Sequence, residues 1–215
     1  MAGNKLLLVG GGGHCRSVLD CVLRSGTYEA VGIVERDGAP EALVLGVPIV
    51  GHDADLPRLL ADGWRFAAVT LGSVGDPSRR RALFRQLTLL GFHPPVIADP
   101  SAVISTHTDI AAGTFIGKRA VVNAGSMIGA CAIVNTGAVI EHDCRIGAFC
   151  HISPGAVLCG AVQAEENTHI GAGAVVLQGV HIGRGAIIGA GSVILRDVPD
   201  GCTVVGDPGR IIKKE

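Results

Sequence analysis

The run VIEHDCRIGAFCHISPGAVL (139–158) places Ile140, Ile146, Ile152 and Leu158 six residues apart. Extended in both directions, the same step gives Ile104, Ile110, Ile116, Val122, Ile128 and Val134 before it, and Ala164, Ile170, Val176, Ile182, Ile188 and Ile194 after it. Fifteen of these sixteen residues are Ile, Val or Leu, with Ala164 the exception, so the pattern is a repeat rather than a coincidence of composition. A helix needs an apolar period of 3.6 residues, which a step of six does not supply. Gly often follows the aliphatic (Gly117, Gly129, Gly147, Gly171, Gly183, Gly189). Four residues after it stands a small residue, as at Thr114, Ala120, Ser126, Ala132, Ala138, Cys144, Cys150 and Ala156. Three hexads then make one coil of three short strands on the sides of a triangular prism. Each aliphatic points inward onto its counterpart in the next coil, the small residue fits the tight corner, and glycine is expected to relieve the backbone at bends. Sixteen hexads amount to about five coils.

Upstream of Pro100 the pattern is different. Residues 6–9, 30–34, 47–50 and 66–71 read as strands, and 14–25, 53–62 and 78–90 as helices. Such alternation predicts a small parallel sheet covered by helices. Composition agrees with a narrow repetitive core: 32 Gly, 3% aromatic residues and a mean hydropathy of +0.45 leave Ile, Val, Leu and Ala to fill it. Lys plus Arg (18) nearly balance Asp plus Glu (19), which argues against nucleic acid as a partner. No apolar run is long enough for a membrane span. MAGNKLLLV reads as a first strand rather than a secretory leader. The seven cysteines are odd in number and form no C-x-x-C, so neither a disulfide framework nor a zinc site is expected, and a reducing cytoplasm is the expected location.

Function has to come from interruptions of the repeat. Ile140 and Ile146 keep the register, so Glu141, His142 and Asp143 fall on a corner. An imidazole titrates near neutrality and can take a proton from an attacking amine or hydroxyl, and an adjacent carboxylate can fix its tautomer. These residues read equally well as polar corner residues without chemistry. Asn135 stands where many hexads have Gly, either as a polar neighbour of that site or as a turn residue. His151 precedes a hexad aliphatic, as do His169 and His181, which shows that this position need not be functional. Cys144 and Cys150 occupy small-residue positions and are expected to pack rather than react. Neither G-x-S-x-G nor H-E-x-x-H occurs.

In the first half, Gly10-Gly11-Gly12-Gly13-His14-Cys15 follows a strand and opens a helix, where backbone N–H groups can receive a phosphate. Glu35 lies after the second strand, placed for a ribose hydroxyl, and LGSVGD (71–76) ends another strand at the same crevice. Cys15 occupies the third glycine position of G-x-G-x-x-G. That favours a single nucleotide diphosphate over a dinucleotide, although a nicotinamide cofactor remains an alternative.

Together VGGGGHCRSV, GIVERD, the hexads, IEHDC, CHISPGA and the closing VVGDPGRIIKK resemble the sugar-nucleotide acetyltransferases of the hexapeptide-repeat superfamily, a group that includes sialic-acid O-acetyltransferase-like proteins. The chain departs from them in having Gly13-His14-Cys15-Arg16 where members have Gly-His-Gly-Lys, and Gly209 where they have Ala. The resemblance implies an α/β, Rossmann-like sugar-nucleotide-binding domain (1–100) followed by a left-handed parallel β-helix acetyltransferase domain (101–215). It implies a cytoplasmic homotrimer with sites between neighbouring prisms, and acetyl-CoA as co-substrate without a metal. By the same likeness His142 is the general base, Asp143 orients it and Asn135 lies close by. His151, Gly160, Ala172 and Ala190 contact the acetyl-CoA. Gly13, His14, Cys15, Glu35, Gly72 and Ser73 face the sugar nucleotide. The implied reaction is direct N-acetylation of a nucleotide-linked 4-amino-4,6-dideoxyhexose, with backbone N–H groups stabilising the oxyanion. O-acetylation of a sialic acid or related sugar, and a non-catalytic sugar-nucleotide-binding solenoid, are the competing readings.

Overall fold

A computed structural model describes residues 4–36 and 42–213; Asp37 of GIVERD and Lys214 of the closing motif lie outside the described residues. The first half is a five-stranded sheet. β1 (Lys5–Val9), β2 (Ala30–Val34), β4 (Val47–Gly51) and β5 (Phe66–Val69) run parallel in the order β4-β2-β1-β5, and β3 (Leu43–Val44) adds antiparallel to β4. β1 is an unbroken apolar run because both its faces are covered. Leu6 and Leu8 pack with α1 (Gly13–Ser25), while Leu7 and Val9 pack with α2 (Leu56–Ala61) and α3 (Ser78–Leu90). The expected helix over 53–62 is split: Asp53–Asp55 form a 3₁₀ turn, capped by His52 and the Asp55 carboxylate, before α2 starts. The hairpin strand β3 has no separate signal in the sequence reading.

The second half is a left-handed parallel β-helix with three faces. The first face runs from Ile97–Ala98 through Phe115–Ile116, Ile133–Val134, His151–Ile152, His169–Ile170 and Ile187–Ile188. The hairpin of Thr203–Val205 and Arg210–Lys213 closes it. The second face runs from Val103–Ile104 to Val193–Ile194, and the third from Asp109–Ile110 to His181–Ile182. Each strand pairs with the one 18 residues on, as Val121 does with Val139. From Ile116 to Ile194 the hexad residues are buried in one continuous core, and Ile104 and Ile110 pack against its open end. The repeat starts one hexad earlier than Ile104: Ile97 pairs with Phe115, which puts Ala98 in register.

Glycine's part in the repeat differs from the expectation. Bends are turned by the residue three after each aliphatic. This position has positive φ from Gly113 to Gly191 without a break, including Arg119, Cys131, Asp143, Phe149, Ala161 and Asn167. The glycines that directly follow an aliphatic are not left-handed; the next coil's backbone passes over them. A Cβ on Gly147 would lie 2.5 Å from the Glu166 amide nitrogen, and one on Gly171 2.5 Å from that of Ala190.

The α/β unit sits on the first face. Ile97, Phe115 and Ile133 share a core with Leu6, Leu8, Cys15, Val18, Leu19 and Val22. Arg24 donates to the buried Asp99 carboxylate at 3.3 Å, and Lys118 pairs with Asp20, so α1 is tied down beside the edge between first and second faces. Among the described residues the second and third faces have no such cover.

Two alanine substitutions separate the two uses of glycine. Gly147→Ala must push one coil off another and should cost about 2–3 kcal/mol. Gly137→Ala has open space around the new methyl group and only a positive φ to tolerate, which should cost about 1 kcal/mol. Urea denaturation of both variants checks the order; equal costs would remove the coil-contact explanation.

Candidate active site

The edge between second and third faces carries His142 and Asp143. Asp143 is the left-handed residue of its hexad (φ 60°), a conformation that Asp tolerates better than most side chains. From there its carboxylate accepts a hydrogen bond from His142 Nδ1 at 2.8 Å. The bond places the proton on Nδ1 and leaves Nε2 with a free lone pair. Both side chains face solvent, 56% and 66% exposed. Gly160, one coil on, forms the floor: a Cβ there would come within 2.6 Å of Cε1 and Nε2 of the imidazole. Gly125, one coil back, leaves room in the same way for the Asp143 carboxylate.

A second group lies where the first face meets the α/β unit. His151 is buried and donates from Nδ1 to the Ser73 carbonyl at 2.6 Å. Asn135 is at the edge between first and second faces. Its Oδ1 accepts from the Thr136 amide at 2.8 Å, so its Nδ2 is turned to His151 Nε2 at 3.3 Å. Burial first, then the charges of His169 and Arg80, lower the His151 pKa to about 4 against a bond to Ser73 that raises it, so this imidazole is neutral. Ala172 and Ala190 are exposed on the Asn135 edge, one coil apart, with the Gly191 amide bonded to the Ala172 carbonyl at 2.8 Å.

The third group is the crevice at the end of β1, where the neighbouring strands β2 and β5 lead off in opposite directions. Gly12 and Gly13 open α1 with clear space above them. Gly72 lies against His14, whose ring meets Phe115 edge-on at 5.3 Å between centroids. Burial, with His151 and Arg80 nearby, lowers His14 to about 4. Two residues expected here stand differently. Cys15 is fully buried in the core, its thiol pushed up to about 11 chiefly by burial. The Glu35 carboxylate is engaged with the amides of Gly11 and Arg36, bracing the glycine loop.

Ser73 joins the crevice to the His151 group, but His142 stands apart from both. In a three-sided prism the edge between second and third faces is opposite the first face, so one chain does not bring His142 to His151. Two grooves of about 470 and 820 Å³, on the third face and between α3 and Phe149, are lined by none of the candidate catalytic, cofactor-binding or substrate-binding residues. The residue that sequence reading missed is Arg80. It belongs to SRRRALFR (78–85), within the expected helix over 78–90, and is 2% exposed.

Parallel six-residue coils, one edge of which carries the His142–Asp143 pair, joined to an α/β unit with a glycine-opened crevice, define the class of hexapeptide-repeat proteins. Residues 5–87 match the family described as PglD N-terminal domain, and residues 165–196 match bacterial transferase hexapeptide (six repeats). No curated protein sequence matches the chain. Among solved structures, perosamine N-acetyltransferase from Caulobacter crescentus, in complex with CoA and GDP-perosamine, is 39% identical over 97% of both chains, with a TM-score of 0.92. The acetyltransferase domain of PglB from Neisseria gonorrhoeae, in complex with acetyl coenzyme A, is 37% identical over 98% of this chain and 100% of that one, with a TM-score of 0.90. WeeI from Acinetobacter baumannii is 26% identical, covering 96% and 99%, with a TM-score of 0.87. The chain belongs to the hexapeptide-repeat sugar-nucleotide acetyltransferases and is an acyltransferase. Among the described residues no cluster suited to a metal ion occurs, and no helix is long and apolar enough to cross a membrane.

The buried imidazoles predict acid sensitivity. His14 and His151 titrate near 4 in the folded chain against 6.5 when unfolded. Between those values the unfolded chain binds protons that the native state does not. Their contribution to stability is therefore complete above about pH 6.5 and is lost as the pH falls toward 4. Denaturation midpoints at about pH 7, 6 and 5 should decline, and decline less steeply in His151→Asn. An identical decline in that variant would count against a buried neutral His151.

Proposed function

We propose that the enzyme transfers the acetyl group of acetyl-CoA directly to the amino group of a nucleotide-linked 4-amino-4,6-dideoxyhexose, with His142 as general base. The observation that carries this reading is the His142–Asp143 bond on a solvent-facing edge, floored by Gly160 so that Nε2 is free to accept. The ligands of the similar structures, CoA with GDP-perosamine and acetyl coenzyme A, support the two substrates. Residues 1–100 would hold the nucleotide, with the α1 amides of Gly12 and Gly13 toward the diphosphate and His14, Gly72 and Ser73 lining the crevice. Residues 101–215 would carry out the transfer.

In the proposed step His142 Nε2 takes a proton from the amine as its nitrogen bonds to the thioester carbonyl carbon. The C–S bond then breaks, and the thiolate leaves and is protonated. Asp143 stabilises the imidazolium through Nδ1, and a backbone N–H of the coil, at Gly160 or beside it, offsets charge on the carbonyl oxygen. An acyl-cysteine is not required: Cys144, near His142 in sequence, is buried, and burial pushes its thiol up to about 11. Seven free cysteines suit the reducing cytoplasm that we assign to the enzyme.

The site is completed by a neighbouring copy in a homotrimer. The second face presents Val103, Val121, Val139, Val157, Val175 and Val193 outward, all of them at least partly exposed, a continuous apolar ladder that is left uncovered among the described residues. Packing this face around a threefold axis buries the ladder and sets the His142 edge of one copy against the Asn135, Ala172 and Ala190 edge of the next. It also explains why the two halves of the site stand at different edges of one prism.

Two experiments test this. His142→Ala should lower kcat by roughly 10²–10⁴-fold while acetyl-CoA still binds; wild-type turnover in an intact trimer would exclude His142 as the base. Co-refolding equal amounts of His142→Ala and Asn135→Ala chains should restore about a quarter of the wild-type sites, because random trimers pair an intact edge of each kind that often. Mixed chains no more active than their parents would rule out a site shared between copies.

A further inference from the structure

Arg80 is a buried cation with no acidic partner among the described residues. A buried charge normally has an ion pair, because desolvation costs several kcal/mol and has to be compensated. Arg80 is compensated by oxygen acceptors on two different parts of the molecule. Nη1 donates to the Ser73 hydroxyl at 3.1 Å, and Nη2 donates to the Cys131 carbonyl on the column, with the Cys131 sulfur at 3.8 Å. Its Nε has no partner. The guanidinium thus clamps the loop after β5 to the β-helix, and the clamped residue, Ser73, is the one whose carbonyl accepts from His151 Nδ1.

We propose that Arg80 is a positioning residue for the transfer site: through Ser73 it fixes His151 as the Nδ1–H tautomer, so that Nε2 receives the Asn135 amide and holds it at the edge that meets the neighbouring copy. The chain of contacts is continuous, from the Cys131 carbonyl through Arg80, the two polar groups of Ser73 and the His151 ring to Asn135, whose Oδ1 is itself fixed by the Thr136 amide. Each link has a single sense, because guanidinium and amide N–H groups can only donate and carbonyls can only accept. Flipping the His151 ring or the Asn135 amide would break the bond to its neighbour, and releasing Arg80 would free the loop whose Ser73 carbonyl holds the ring. The charge has a second effect. The titratable and charged groups facing His151 are Arg80 from α3, His14 from α1 and His169 from the adjoining strand, all basic. A proton on His151 would have to share this space with a cation that has no counter-ion among the described residues, so the seam keeps one charge and three imidazoles held toward the neutral form.

The inference deepens the proposed transfer reaction and rests on the Asn135 edge being part of that site. Its test uses the full-length trimer labelled with ¹⁵N at histidine, compared between wild type, Arg80→Met and Arg80→Lys. In wild type the His151 ring nitrogens should give the pattern of one tautomer, protonated at Nδ1. In Arg80→Met the pattern should shift to a mixture, and kcat should fall about tenfold with KM for acetyl-CoA nearly unchanged. Arg80→Lys keeps a cation but not the fork that spans both acceptors, and should behave like the Met variant. Unchanged His151 signals in a folded Arg80→Met protein, or full recovery by Arg80→Lys, would overturn the inference. If Arg80→Met does not fold, Ser73→Ala removes only the hydroxyl that Arg80 holds; the same tautomer mixture supports the clamp and an unaltered spectrum refutes it. The spectra do not depend on turnover. A wild-type protein with the expected tautomer but no acetyl transfer would therefore fail the functional reading and leave the clamp standing.

Discussion

Stacking of one coil on the next governs both the stability and the chemistry of this protein. Backbone ladders join each strand to the strand 18 residues on, and an inward aliphatic rests on its counterpart at the same step. A one-residue slip would turn every core aliphatic outward, so the register is held by the whole buried column. Side chains on the edges inherit that precision. Gly160 lies under His142 and Gly125 beside Asp143 because each pair is one coil apart. Ala172 and Ala190 share an edge, and His151 meets His169 with ring centroids 5.1 Å apart, for the same reason.

This is also why so much of the second half was legible in the sequence. An unbroken period of six is hard to produce by any other fold, and it assigns Ile140 and Ile146 to the core and His142 and Asp143 to a corner without coordinates. The role of glycine was harder to read, because two different needs fall on the same residue type. Left-handed backbone falls three residues after the aliphatic, where Asp143 and Phe149 also serve, whereas the glycine directly after the aliphatic is required by the passing coil. The first is a local property and the second is a contact between coils, which no single hexad reveals.

In the α/β half the strands and the glycine crevice were visible, but the assignment of side chains within the crevice was not. Glu35 follows β2 at the right distance for a ribose, yet its carboxylate is taken up by the Gly11 amide. Cys15 follows four glycines, yet the first turn of α1 rotates it into the core. Arg80 shows the limit most clearly. On α3 it is one of four arginines within eight residues, and helical periodicity alone gives no reason to bury one of them. It is the approach of the β-helix at Cys131, far away in sequence, that encloses it.

Environment divides the histidines into two kinds, and the division follows the architecture. Those at the contact between the α/β unit and the first face are buried, and there desolvation outweighs every other influence and holds His14 of α1 and His151 of the first face neutral. They can orient neighbours by donating from one nitrogen and accepting at the other, but they are poor proton acceptors near neutral pH. His142 projects from the opposite edge into solvent, its Nδ1 donating to the Asp143 carboxylate. The proposed base stands on the exposed edge, and the imidazole proposed to hold Asn135 stands beneath the domain contact. The prism keeps the two apart within one chain; in the proposed trimer they would meet only across the contact between copies.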